Sequence, residues 1–339
     1  MNGTDAPLVT VCIANYNGEH MLRECIDSVL AQGTEAKIET IVHDDASTDG
    51  SLELLAGSYP MLRVIRSETN VGFCVANNRM AELARGRFLL LLNNDAALSP
   101  DAISTLLDAA KAMDAPAILT IPQHDWITGE VVDRGCLVDP FFNPIPNLDP
   151  AREDVAYVIG ACLWCPRETW KDLGGFPEWM ESIGEDLFIC SKARLMGIPV
   201  RALGSSFYRH RQGASFGGNR ADTKLRTSLR RRALSERNKT RALLVLTPGV
   251  TALALLAAHS VLLAAEGVAL SMLKRDFLLL RKVYFPAILG PLRELAFLLS
   301  CRRETQSLRT LPINTWYSTT RCTLRKIELL RRYGIPELD

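Results

Sequence analysis

The run from Arg87 to Ala97, RFLLLLNNDAA, constrains the fold of this chain more than any other segment. An unbroken apolar stretch of this length fits a strand covered on both faces, as in a parallel sheet, where the usual alternation of apolar and polar residues is lost. It stops abruptly at Asn93-Asn94-Asp95. Ligands of open α/β sheets bind at the carboxyl ends of such strands, so Asp95 stands where a ligand would. Taken alone, Asp95 fits a turn or helix cap equally well, because Ser99-Pro100-Asp101 opens a helical pattern just after it.

Two further strand ends favour the ligand-facing reading. The β-branched stretch from Ile38 runs into Asp44 and Asp45, followed by Ser47, Asp49, Gly50 and Ser51, and the first strand, Leu8 to Ala14, ends in Asn15-Tyr16-Asn17-Gly18. Between them, Leu22, Cys25, Ile26, Val29 and Leu30 recur at the spacing of a helix packed by one face, over Glu19 to Gln32. The alternation continues with a strand at Leu62 to Ser67, a helix at Gly72 to Ala84, a strand at Phe88 to Leu92, a helix at Pro100 to Met113 and a strand at Ala117 to Ile121. This series predicts an α/β fold with a mostly parallel central sheet flanked by helices. The turn after the first strand has no G-x-G-x-x-G, so the phosphate-binding glycines of a dinucleotide or methyl-donor enzyme are missing.

A chain of 339 residues has room for one catalytic domain and an appendage, which we place at residues 1–240 and 241–339. Its net charge of +1 conceals two opposite halves: residues 1–200 hold 14 Lys and Arg against 29 Asp and Glu, a net of −15, and residues 201–339 hold 25 against 9, a net of +16. An acidic half with carboxylates at strand ends suits a divalent cation, and a basic half suits phosphate groups. The basic half also contains the most apolar stretch, Val250 to Leu273, interrupted only by His259 and Glu266 as strongly polar residues. That length is enough to cross a bilayer. Phe277 to Ser300 is apolar too, but Arg281, Lys282, Arg293 and Glu294 break it and Pro286 and Pro291 kink it, in the manner of an interfacial amphipathic hairpin. Basic runs flank the first of these segments, Arg230-Arg231-Arg232 with Arg237, Lys239 and Arg241 before it and Lys274-Arg275 after. The expectation is a membrane surface as partner and no nucleic acid, the alternative being two core helices of a helical appendage. The opening MNGTDAPLVT has no apolar signal core, which predicts a catalytic half at the cytoplasmic face of the cell membrane. Nine scattered cysteines, among them Cys12, Cys25 and Cys190 within apolar patterns, read as reduced core residues, and Cys162 and Cys165 form an isolated C-x-x-C inside a strand pattern.

Six segments carry a resemblance when taken in order: VTVCIANYNG, VHDDASTDGS, ETNVGFCVANN, LLLLNNDAAL, GACLWCPRETWKDLGGFPEWMESIGEDLFICSKARLMG and HRQGAS. Together they resemble the motif set of glycosyltransferase family 2, and within it the bacterial rhamnosyltransferase-like members, over residues 7–240. The resemblance implies the GT-A nucleotide-sugar-binding fold, with the apolar and basic C-terminal region as a helical appendage. It also implies inverting transfer of one sugar from a nucleotide-diphosphate sugar, of the dTDP-rhamnose or UDP-hexose type, to a hydroxyl of a glycan or polyprenyl-linked acceptor in cell-surface polysaccharide synthesis.

Carried over residue by residue, the resemblance places Ala14, Asn15 and Tyr16 against the donor nucleotide, with Asp44, or its neighbour Asp45, reading a ring NH of the base. Asn70, Gly72, Phe73, Asn77 and Asn94 would line the same pocket. Asp95 resembles the last residue of the family's D-x-D motif, which holds Mg²⁺ or Mn²⁺ on the donor diphosphate, and His210 would add a second metal ligand. This chain has Asn93 where many members have an aspartate; a hard cation can draw its other oxygens from phosphate and water. Asp186 would act as the base, with Glu185 beside it, both at the start of the helix that follows Gly184. Trp179 would offer a stacking face to an acceptor sugar.

Two motifs are set aside. Gly213-Ala214-Ser215-Phe216-Gly217 spells a nucleophile elbow but follows a polar run rather than a core strand. Gln306-Ser307-Leu308-Arg309 matches part of the Q-x-x-R-W signature of processive synthases, but Thr310 stands in place of Trp and the segment lies after the apolar region. The competing reading from another class is a membrane-associated nucleotide-sugar or glycan binding protein whose transferase domain has lost its activity.

Overall fold

The computed structural model describes residues 6–211, 220–221 and 225–338. The chain falls into two compact units, Met1–Cys136, Pro146–Ala193 and Ile198–Gln212 forming the first and Leu137–Ile145, Arg194–Gly197 and Gly213–Asp339 the second.

In chain order the elements begin with β1 (Val9–Asn15), α1 (Glu19–Leu30), β2 (Ile38–Asp44), α2 (Ser51–Ser58), β3 (Arg63–Arg66), α3 (Phe73–Leu83), β4 (Phe88–Asn93), β5 (Ala96–Leu98) and α4 (Ala102–Ala112). They continue with β6 (Ile118–Thr120), β7 (Gln123–Asp125), β8 (Val131–Asp133), β9 (Cys136–Val138), β10 (Pro144–Pro146), β11 (Cys162–Pro166), α5 (Arg167–Leu173), α6 (Glu185–Leu195), β12 (Val200–Ala202) and β13 (Tyr208–His210). Seven strands form the main sheet in the order β12-β6-β11-β4-β1-β2-β3, parallel except for β11, which runs antiparallel to both β4 and β6. The mostly parallel sheet expected from the alternating pattern is therefore present. The apolar run is strand β4, at the sheet centre, with Leu89, Leu90 and Leu91 fully buried. Its continuous hydrophobicity follows from that place, because both faces of the strand are covered.

Strand register sets the edge that matters for function. Asn15 of β1 is paired with Asp44 of β2, and Ala14 with Asn93 of β4, so three polar strand ends lie side by side. A second sheet, in the order β5-β13-β7-β8, begins just beyond β4, and β13 inserts between β5 and β7. None of its four three-residue strands had a legible periodicity.

The second unit is helical. It holds β14 (Arg220–Ala221), β15 (Leu225–Thr227), α7 (Leu229–Leu246), α8 (Thr251–Lys274), α9 (Phe285–Arg293), α10 (Leu295–Ser307), α11 (Ile313–Trp316), α12 (Arg325–Tyr333) and β16 (Glu337–Leu338). The division expected at 240/241 falls inside α7. Among the described residues α8 is the one helix long and apolar enough to cross a membrane by itself; the proline-bearing segment forms a bent pair, 280–293 and 295–307, at 72°. In α8 the usual polarity is reversed. Its solvent-exposed residues from Leu253 to Leu273 are all apolar, whereas His259 and Ser271 are buried and Glu266 turns inward onto Arg232 and Lys326. Two isolated core helices would bury that apolar face; this one leaves it open.

All nine cysteines are free and seven are buried, in agreement with reduced core residues. Burial pushes the thiols of Cys162 and Cys165 in β11 above the ordinary range, which leaves them unreactive.

Leu90 is flanked in register by Val11 on one side and Trp164 on the other. Leu90→Ala should cost about 2–5 kcal/mol, the range for a buried leucine truncated in a core that cannot collapse. Urea unfolding followed by tryptophan fluorescence measures it, since Trp164 stacks on Phe88 at 5.0 Å between ring centroids; an unchanged midpoint would mean that β4 is not the packed centre.

Candidate active site

The three strand ends are held together by one chain of side-chain hydrogen bonds. Asn94 Nδ2 donates to Asn15 Oδ1 at 2.8 Å, and Asn15 Nδ2 donates to Asp44 Oδ2 at 3.0 Å. Asp44 Oδ1 accepts from Ser47 N at 3.0 Å, so the carboxylate also shapes the loop after β2. A Cβ on Gly18 would lie 2.1 Å from Asn94 Nδ2 and 2.5 Å from Asn15 Oδ1, so only glycine fits over this network. Ala14 is half-buried, and Tyr16, next in line, is 51% exposed with its ring open to a stacking partner.

Asp44 and Asp45, equivalent by sequence, separate in the structure. Asp45 accepts from Val71 N at 2.7 Å and from Gly72 N at 2.9 Å, clamping the start of α3 to the end of β2. Gly72 takes φ +88, a conformation that favours glycine. Asn70 is exposed. Asn77 is buried and donates to Phe73 O at 2.9 Å, inside its own helix. Asn78 is tied to the segment that carries Trp179, donating to Phe176 O and accepting from Phe176 N, each at 2.9 Å. Among the described non-glycine residues with positive φ, Asn17, Ala46, Glu181 and Ile183 all lie in loops of this region. For β-branched Ile183, φ +69 is a strained conformation of the kind that clusters at functional sites.

Asp95 and His210 meet. The second sheet pairs His210 with Ala96, which brings His210 Nε2 to 3.1 Å from Asp95 Oδ1, both groups nearly buried. Behind the imidazole, Gln123 Oε1 lies 3.3 Å from His210 Nδ1 and receives the Tyr208 hydroxyl at 2.8 Å. An imidazole protonated on Nδ1, toward the Gln123 amide oxygen, would turn its Nε2 lone pair to the Asp95 carboxylate, two donor atoms placed to share a cation. The donor set therefore fits a divalent cation: one carboxylate oxygen and one imidazole nitrogen, with the remaining positions left to donor phosphate and water. Asn93 Oδ1, buried without a hydrogen-bond partner among the described residues, is an oxygen suited to a metal-bound water. No set of three His, Cys, Asp or Glu side chains converges among the described residues. Of the HRQGAS motif, residues 212–215 lie outside the described residues, as does the Gly213 to Gly217 elbow.

Asp186 sits in the first turn of α6 and is half-buried, whereas Glu185 is 6% exposed. Asp186 Oδ2 accepts from Gly160 N at 3.2 Å, and the next residue, Ala161, accepts from Asn93 N at 3.1 Å. The carboxylate is thus placed beside the end of β4. A Cβ on Gly160 would lie 3.6 Å from the Phe73 ring and 3.8 Å from Asp186 Cβ, so Phe73 joins the same group. Trp179 is half-buried, edge-on to Phe188 with ring centroids 5.5 Å apart. Burial pushes the Asp133 carboxyl up to about 7, opposed by a hydrogen bond from Gly135 N and by His210, and reinforced by Asp186. Gln123, Tyr208, Asp133 and Gly160 were not found from sequence; the first three lie in short strands whose roles depend on pairing across the second sheet, and Gly160 acts through its contact with the distant Asp186.

Residues 10–172 match the family Glycosyl transferase family 2. This segment belongs to that family. It runs from β1 to α5 and includes Asp44 and Asp95, and Asp186 and His210 lie beyond it. The chain is 37% identical over 133 residues to the chondroitin synthase of Escherichia coli, an alignment covering 38% of this chain and 19% of that protein. It thus spans under a fifth of that relative's length. Two solved structures share the fold: Staphylococcus aureus TarS 1–349 in complex with UDP-GlcNAc, at 17% identity and TM-score 0.54 over 88% of this chain and 89% of that one, and the mannosyltransferase PcManGT of Pyrobaculum calidifontis with GDP-Man and Mn²⁺, at 18% identity and TM-score 0.52 over 89% and 88%. The fold of the chain is accordingly the GT-A fold.

The family 2 domain supplies a test of the imidazole orientation. Gln123→Met keeps length and burial but removes the acceptor, so Mn²⁺ affinity should fall by about 10–100-fold, as for other groups that orient metal ligands. The His210 ring-nitrogen NMR shifts should move away from the Nδ1-protonated form, and Gln123→Glu should restore both. Unaltered shifts in Gln123→Met would reduce Gln123 to packing.

Proposed function

We propose that the chain is an inverting glycosyltransferase that moves one sugar from a nucleotide-diphosphate sugar, of the dTDP-rhamnose or UDP-hexose type, to a hydroxyl of a glycan or lipid-linked acceptor in cell-surface polysaccharide synthesis. The observation that carries it is the seat of Asp186, a half-buried carboxylate one hydrogen bond from Gly160 and beside the end of β4, where Asp95 and His210 meet.

In this reading Tyr16 stacks on the base, and the loops held by Asp44 and Asp45 frame the nucleotide. Asp95 and His210 would hold Mg²⁺ or Mn²⁺, which would supply positive charge beside the donor diphosphate. Asp186 takes the proton of the acceptor hydroxyl while that oxygen bonds to the anomeric carbon and the carbon–oxygen bond to the diphosphate breaks. One in-line displacement inverts the anomeric centre. Glu185, more deeply buried, supports the helix start, and Trp179 offers a stacking face to the acceptor sugar. TarS and PcManGT, solved in complex with UDP-GlcNAc and with GDP-Man and Mn²⁺, support a nucleotide-sugar donor and a divalent cation here. The exposed apolar face of α8, with basic residues at its end, supports a membrane surface as the second unit's partner, at the cytoplasmic face.

A donor-hydrolysis screen across nucleotide sugars, with and without Mn²⁺, tests the donor class. Asp186→Asn should leave donor affinity intact and lower turnover by roughly 100-fold or more, the usual share of general-base catalysis, and Glu185→Gln should cost less. The reverse order would exchange their roles. Asp95→Ala should remove the Mn²⁺-dependent part of nucleoside diphosphate binding in calorimetry; equal affinity with and without the substitution would leave Asp95 as a cap.

A further inference from the structure

The second unit contains an open cavity of about 620 Å³ lined by Gly249, Leu299, Arg302, Arg303, Gln306 and Arg309. Three of the six are arginines and none is acidic. Several buried basic groups of this unit are matched: Arg232 with Glu266, Lys239 and Lys326 with Glu236, Arg241 with Glu294. No ion pair joins the three cavity arginines to a carboxylate among the described residues. The floor of the cavity is fixed, since Arg302 donates to the carbonyls of Leu244, Thr247 and Gly249 and Gln306 to those of Val245 and Leu246. Those bonds satisfy the carbonyls at the end of α7, which otherwise lack partners. Arg303 and Arg309 remain exposed, and Arg309 Nη1 donates to Leu311 O at 3.3 Å, which holds its guanidinium at the surface.

The position of the cavity suggests what that ligand is. Gly249 immediately precedes Val250, 84% exposed, and Leu253, 66% exposed, where the open apolar face of α8 begins. Leu299 on the wall belongs to the exposed apolar side of α10. A cationic hollow at the end of an apolar face matches an amphiphile with an anionic head and hydrocarbon tails, and paired guanidinium groups suit phosphate oxygens through parallel N–H donors. Gln306 and Arg309, set aside above as a partial motif, acquire a place in this cavity.

We propose that Arg302, Arg303 and Arg309 form a binding site for the phosphate headgroup of a membrane lipid, the chemical class to which a lipid-linked acceptor belongs. This rests on the membrane reading of the second unit.

The experiment is flotation of the full-length protein with vesicles of phosphatidylcholine alone and with phosphatidic acid or phosphatidylglycerol added at equal surface charge. Wild type should bind all three and prefer phosphatidic acid, whose phosphate is exposed as a monoester. Arg303→Ala with Arg309→Ala, both at exposed positions, should lower affinity for phosphatidic acid vesicles by about 30-fold, from about 1 kcal/mol per basic group near an anionic surface, and abolish the preference. A charge-matched control, Arg275→Ala with Arg281→Ala, should weaken both anionic vesicles alike and keep the preference. Equal behaviour of the two double variants would reduce the cavity to diffuse electrostatics and overturn the site. Calorimetry with inorganic pyrophosphate separates the sources: binding there without any preference among vesicles would assign the cavity to a soluble phosphate instead. Absence of wild type from every vesicle fraction would remove the membrane reading itself, and the lipid site with it.

Discussion

The hydrogen bonds from Asn94 to Asn15 to Asp44 carry the rest of the catalytic unit. Parallel strands end together at one edge of a sheet, and their last polar side chains are buried there; unpaired, each would cost about 1–3 kcal/mol. Asparagine solves this because one side chain both donates and accepts, so Asn15 bridges an amide on one neighbour and a carboxylate on the other. The absence of a side chain at Gly18 lets the next turn lie directly on the bridge. With the edge sealed, Tyr16 is held outward on one side and Asp95 on the other.

The second sheet then completes the site from a distance in sequence. β13 has three residues, and its pairing with β5 and β7 is what delivers His210 to Asp95 and Gln123 to His210. Asp133, opposite Gln123 on β8, adds a carboxyl that burial pushes up to about 7. A site assembled this way is preorganised: its polar groups are fixed by partners before any ligand arrives, so their orientation is not lost to solvent reorganisation.

The helical unit inverts the same logic. Its polar residues are gathered inside, with Glu236 contacted by Lys239 and Lys326, Glu266 by Arg232 and Lys326, and His259 by Thr240. Burial pushes the Glu236 carboxyl up, but Lys239 and Lys326 outweigh it and hold it below the usual range. Such a network is a costly way to build a core, because each buried charge must be compensated by geometry. Its consequence is that the outer face of α8 is left to apolar side chains.

The βαβ alternation of residues 8–121 and the polar ends of β1, β2 and β4 were legible from the amino-acid sequence alone, because short-range periodicity reports how many faces of an element are covered. The apolar length of α8 and the placement of Glu185 and Asp186 at a helix start were legible for the same reason. Tertiary structure alone decided which of Asp44 and Asp45 clamps α3, that β11 runs antiparallel within the main sheet, that His210 faces Asp95 with Gln123 behind it, and that α8 turns its polar residues inward. Each of these depends on contacts between segments far apart in the chain, where no local pattern records the partner. The division between the two is physical: burial leaves a trace in the composition of each element, whereas the identity of what buries it is settled only when the elements pack.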